Sequence, residues 1–164
     1  MEVPETGENS FSCYINKEKF IPRTTNDIEN IKSQVNHPLG IVVKNKSIEI
    51  IAANDYLYLV LFIKELGGEG SYALLQSAGF GVSDTLNNRS TLVYYENYHV
   101  PYRSSNPPPS GEINITELSN NNRHIKGTFN VTLYKETDPN DSIKITNGKF
   151  DVNLNTLGHV VEYN

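Results

Sequence analysis

The stretch "SIEIIAANDYLYLVLFI", residues 47–63, constrains the fold more than any other. Seventeen residues carry two apolar runs separated by Asn54-Asp55, both of which tolerate positive φ. A two-residue turn there pairs Ala53 with Tyr56, Ala52 with Leu57, Ile50 with Leu59 and Ile48 with Leu61. One face then becomes Ile48, Ile50, Ala52, Leu57, Leu59 and Leu61, wholly aliphatic. The other carries Glu49, Ile51, Tyr56, Tyr58, Val60 and Phe62. A slip of one residue mixes the two sets, so the alternation specifies the facing of both strands. The second face is too apolar for open water and calls for a cover. "YLYLVLFI" is also too short to cross a bilayer, and no stretch reaches the roughly 18 apolar residues that a spanning helix needs.

The same logic recurs along the chain. "FSCYINKEKFIPR" puts Phe11, Cys13 and Ile15 on one face, and a turn at Lys17-Glu18 pairs Ile15 with Phe20. In "GEINITELSNNNRHIKGTFNVTLYK", Asn120, Asn121 and Asn122 read as a three-residue turn, since asparagine enters the left-handed region readily. Ile115 then faces Gly127, Ile113 faces Phe129, and Ile125, Val131 and Leu133 extend the apolar side. "SIKITNGKFDVNL" contains Asn147-Gly148, the strongest hairpin dipeptide, which pairs Ile145 with Phe150 and Ile143 with Val152. Further strands are expected near Tyr72 to Gln76, over 91–98 and in "GHVVEY". The one helix candidate is "TTNDIENIKSQVNHPLG", with Asn26 as cap, Ile28, Ile31 and Val35 on a face, and His37-Pro38 and Gly40 at its end.

Short strands at regular spacing imply an all-β chain: a single antiparallel β-sandwich or flattened barrel with at most one short helix. The 164 residues suit one domain, expected over 11–164, after a polar flexible leader at 1–10. By area scaling a chain of this size buries roughly 70% of its unfolded surface. It therefore needs no metal or disulfide staple, and the single cysteine, Cys13, reads as an inert core thiol.

Chemistry is sparse. A net charge of -5 without a basic cluster argues against nucleic acid. His37, His99, His124 and His159 are scattered, so no metal site is expected. "GFGVSD" lacks the nucleophile-elbow spacing, and "GGEGSYALLQSAGFG" lacks the lysine of a phosphate loop. Glu65, Glu69, Asp84 and Glu96 show no spacing that singles out a glycosidase pair. No catalytic residue and no cofactor is expected, and the chain reads as a non-enzyme. The cluster that stands apart is "YYENYHVPYR". A strand over 91–98 sends Tyr94, Glu96 and Tyr98 to one side, with the rings roughly 7 Å apart. Tyr94, Tyr98, His99, Tyr102 and Arg103 are thus the candidate ligand-binding residues, since a tyrosine ring stacks on a sugar or packs on a protein. The alternatives are a structural or assembly role in a surface complex and, last, a hydrolase.

"FSCYINKEKFIP", "GSYAL", "GEINITELSNNNRHIKGTFNVTLY" and "ITNGKFDV" resemble, over residues 11–152, a family of envelope lipoproteins of unknown function from Bacteroidales-type anaerobes. "NKEK" lacks the glycine of that family's first turn. The resemblance implies an all-β fold, export, a lipid anchor on an upstream cysteine and an envelope or outer-membrane location, and it implies no activity; the leading expectation beside it is a binding module with a glycan or envelope protein as partner. It also implies O-glycosylation at Asp-Ser/Thr-apolar tripeptides, which here are Asp84-Thr85-Leu86 and Asp141-Ser142-Ile143, giving Thr85 and Ser142 in expected loops.

Overall fold

A computed structural model describes residues 2–24, 37–77, 87–97, 100–105 and 108–163. In chain order the strands are β1 (Ser10–Ile15), β2 (Glu18–Phe20), β3 (Leu39–Lys44), β4 (Ser47–Ala53), β5 (Leu57–Ile63) and β6 (Gly70–Leu74). They continue as β7 (Arg89–Tyr94), β8 (Tyr102–Arg103), β9 (Gly111–Leu118), β10 (His124–Lys135), β11 (Asp138–Asn153) and β12 (Val160–Tyr163). A 3-10 turn, Tyr95–Asn97, follows β7. The helix candidate around Asn26 to Val35 lies outside the described residues.

All twelve strands join one sheet in the order β12-β3-β4-β5-β7-β8-β10-β11-β1-β2, with β9 also on β10 and β6 on β9. The all-β class is as expected, but the sheet is open and not closed into a barrel. Nor is it purely antiparallel: β12 runs parallel to β3. Apolar side chains from both arms of the sheet share one core, from Ile41, Ile50, Leu59 and Leu92 on one side to Phe11, Phe129, Leu133 and Phe150 on the other. The two-residue β8 links the arms, pairing β7 on one edge and β10 on the other. Residues 2–9, expected as a flexible leader, carry backbone hydrogen bonds: Val3 N–H donates to Pro22 O at 2.7 Å, and Phe11 N–H to Pro4 O at 3.0 Å.

The β4–β5 hairpin has the expected faces and a different register. Ile50 pairs with Leu61 and Ala52 with Leu59, two residues off the tight-turn pairing. Asn54 explains the longer loop. Its side-chain oxygen accepts from Tyr56 N–H at 2.8 Å and Leu57 N–H at 3.0 Å, and this Asx cap replaces a two-residue turn. Tyr56 falls in the loop and is 68% exposed. An even shift preserves facing, so Ile48, Ile50, Ala52, Leu57, Leu59 and Leu61 are all buried. The β1–β2 hairpin shifts by two in the same way. Its turn is Asn16-Lys17, both at positive φ (47° and 71°), and Cys13, not Ile15, pairs with Phe20.

The asparagine run does form a turn. Ser119 N–H donates to His124 O, Asn122 sits at φ 57°, and Ile115 and Ile113 pair with Gly127 and Phe129 as expected. Asn147-Gly148 does not. It lies inside the sixteen-residue β11, so Ile145 and Phe150 share one strand and never pair. Asn147, at φ 50°, is the extra residue of a β-bulge that both neighbours register. Phe129 and Val131 of β10 face Gly148 and Ile145, while Ser12 and Tyr14 of β1 face Lys149 and Thr146. Glycine is required beside it because a Cβ on Gly148 would sit 2.5 Å from the Phe129 ring.

Candidate functional site

The tyrosine cluster is built differently from a continuous strand. β7 stops at Tyr94, and Tyr95–Asn97 turn away as a 3-10 segment. The strand expected over 91–98 therefore ends at Tyr94, and Tyr98 and His99 lie outside the described residues. Tyr94 instead meets Tyr102. Tyr102 pairs with Leu92 of β7 and Lys135 of β10, which brings its ring beside Tyr94, two residues along from Leu92. The ring centroids are 6.2 Å apart and the planes 79° apart, so the pair forms two walls of a corner.

That corner opens into a cleft of about 460 Å³ lined by Tyr94, Glu96, Val100, Tyr102 and Lys135. Its floor is ordered by polar contacts. The Tyr102 hydroxyl donates to Asp141 Oδ2 at 3.0 Å, and Lys135 Nζ stands 3.7 Å from the same oxygen. Burial, then the hydrogen bond to Asp141, pushes the Tyr102 phenol up to about 12. Burial first, then Glu18 and Asp141, raises that of Tyr94. Both rings therefore stay neutral at physiological pH, as uncharged walls with one fixed hydroxyl.

Arg103 does not join them. Adjacent residues of a strand point to opposite faces, and Arg103 Nη1 donates to Glu136 Oε1 at 3.1 Å on the other side from the Tyr102 ring. Ser142 is exposed but belongs to β11, opposite Tyr134, not to a loop. Its neighbour Asp141 is engaged by Tyr102, and Ile143 is buried, so the tripeptide is held in sheet geometry. Thr85 lies outside the described residues. Sequence reading missed Lys135, which lines the cleft from β10, and Asp141 of β11, which holds the Tyr102 hydroxyl. No local signal marks them, because only pairing through β8 brings them to Tyr102.

Among the described residues no three or more His, Cys, Asp or Glu side chains gather as a metal site, and no helix is long and apolar enough to cross a membrane. Comparison with curated proteins and with solved structures gave no match. Over residues 40–152, more than half of the chain, the sequence matches the model of a family described as a domain of unknown function, and the chain therefore belongs to the DUF6252 family.

Proposed function

We propose that this DUF6252 chain is a non-enzymatic binding module whose ligand, a glycan, docks in the Tyr94–Tyr102 cleft. The observation that carries the reading is the corner itself: two neutral rings at 79° beside an open cleft edged by Glu96, Lys135 and a hydroxyl fixed by Asp141. Rings supply stacking area, and the polar rim supplies the few directed hydrogen bonds that orient a sugar. A protein partner or an assembly role calls for a broad apolar patch. The exposed large apolar side chains among the described residues are instead Tyr56 in the β4–β5 loop, Tyr134 on β10 and Tyr163 on β12. The cell-envelope setting, with a lipid anchor upstream, rests on the resemblance to Bacteroidales-type envelope lipoproteins.

A shallow cleft gives modest affinity, because little surface leaves water on binding. Glycan-array binding is expected, and Tyr102→Ala should weaken it by about tenfold, the loss of one ring's contribution. Tyr56→Ala, which removes an exposed ring elsewhere, should leave it unchanged. Binding that survives both Tyr94→Ala and Tyr102→Ala would defeat the reading.

A further inference from the structure

A second concavity, of about 790 Å³, lies on the outer face of the arm formed by β2, β1, β11 and β10. The bulge at Asn147 lies within it, and the extra residue falls between the two rows that line it. Two cross-strand rows line it. Thr128, Lys149 and Ser12 are direct partners across β10, β11 and β1 and share the outer face. Beyond the bulge, Thr146, Tyr14 and Lys19 are direct partners across β11, β1 and β2. The rows stand about 7 Å apart along β1, and the first spans about 10 Å across two strand spacings.

These side chains are unspent. Most asparagine and threonine side chains near the turns make hydrogen bonds within the chain, as Asn9, Asn16, Asn54 and Asn153 do. In the trough the engaged side chains are Lys19 and Glu5, paired with each other. Ser12 is 3% exposed, lines the trough, and its hydroxyl has no partner among the described residues. Lys149 makes no ion pair with a described residue. Lys19 and Lys149 share the field of one carboxylate, Glu5, so the trough carries a net positive charge in a chain of net charge -5.

An ammonium flanked by hydroxyls suits a carboxylate, which accepts from Lys149 and from a hydroxyl beside it. Tyr14, one row away, offers a ring face at the spacing of an adjoining sugar. We infer that this trough is a second ligand site, which takes an acidic saccharide with its carboxylate on the Ser12–Lys149–Thr128 row and a neighbouring sugar ring on Tyr14. A peptide partner fits less well, because a protein interface is anchored by a desolvated apolar centre, and here Phe129 is ringed by hydroxyl, amide and ammonium groups. The inference is independent of the Tyr94–Tyr102 cleft, which lies at β7, β8 and the end of β10.

Calorimetric titration of the full chain with trigalacturonate, and with its methyl ester, tests it. The ester keeps the shape and removes the charge. The acid should bind, and the ester about ten- to a hundredfold more weakly, the worth of one charged hydrogen bond. Lys149→Met should weaken the acid to the level of the ester and leave the thermal melt unchanged, while Lys149→Arg should retain binding. Acid binding should also fall as salt is raised. No binding of the acid, equal binding of acid and ester, or full binding by Lys149→Met would overturn the proposal. So would loss of the acid in Tyr102→Ala, which would move the ligand to the other cleft.

Discussion

The two arms of the sheet treat their outer faces in opposite ways. In the β3–β4–β5–β7 arm β5 and β7 are buried on both faces, while the outer side of β3 and β4 is largely half-buried. β5 reads LYLVLFI and is buried at six of seven positions. On its outer side Glu49, Phe62 and Arg89 form one cross-strand row. There the Arg89 guanidinium, 1% exposed, lies 4.6 Å over the Phe62 ring and 3.6 Å from Glu49. Burial outweighs Arg89 and raises the Glu49 carboxyl above its ordinary range. In the other arm the outer face of β10 and β11 is wet, and β10 alternates buried and exposed residues almost without exception, while on β1 the outward Ser10 and Ser12 are buried. A strand covered on both sides reads as a continuous apolar run, and one covered on one side reads as an alternation. The difference teaches where binding can occur: the filled arm is scaffold, and both proposed sites open where the second arm is bare or where β8 joins the two.

The largest effects should come from the filled arm. Phe62→Ala, on its outer face, should cost about 3–5 kcal/mol, as in a true core. Leu59→Ala, on the inner face and fully buried, should cost about 2–5 kcal/mol. Urea melts of the two variants test the symmetry. If Phe62→Ala costs under about 0.5 kcal/mol, that face is surface and the contrast between the arms collapses.

Gly148→Ala comes next. The new methyl meets the Phe129 ring at 2.5 Å, so the bulge must shift, at about 1–3 kcal/mol. The same variant should weaken acidic-saccharide binding by displacing Lys149, and a wild-type stability and affinity would mean that the bulge does not shape the trough.

A smaller effect concerns Cys13, buried on the core side of the wet arm, where loss of hydration pushes its thiol up to about 12. An unfolded cysteine ionises near about 8.5. As pH rises through that window the unfolded chain releases a proton that the folded chain keeps, so stability falls. Cys13→Ala should flatten that part of the pH–stability curve. A thiol reagent at pH 8 should label the chain only after denaturant is added; rapid labelling of the native protein would show that this arm opens. Thr128→Ala, on the wet face, should change stability by no more than about 0.5 kcal/mol.

The sequence by itself determined which residues face the core. Side-chain facing has period two, so the two-residue offsets at Asn54 and at Asn16-Lys17 left every apolar residue on its expected side. The asparagine turn at 119–123 was legible for a related reason: its preference for positive φ is a property of the residue and needs no distant partner. Tertiary structure decided the rest. Asn147-Gly148 has the chemistry of a turn, but β10 and β1 pair with β11 on both edges along its length. Hydrogen bonds to two neighbours outweigh a local turn preference, and the same dihedral becomes a bulge. The sites follow that division. Tyr94 and Tyr102 could be named from their residue type, whereas Lys135 and Asp141 reach them only through pairing across β8 and a bond from Tyr102 to β11. Ser12, Lys149 and Thr128 are far apart in the chain and become one row only because three strands stack in a single register, which no local pattern encodes.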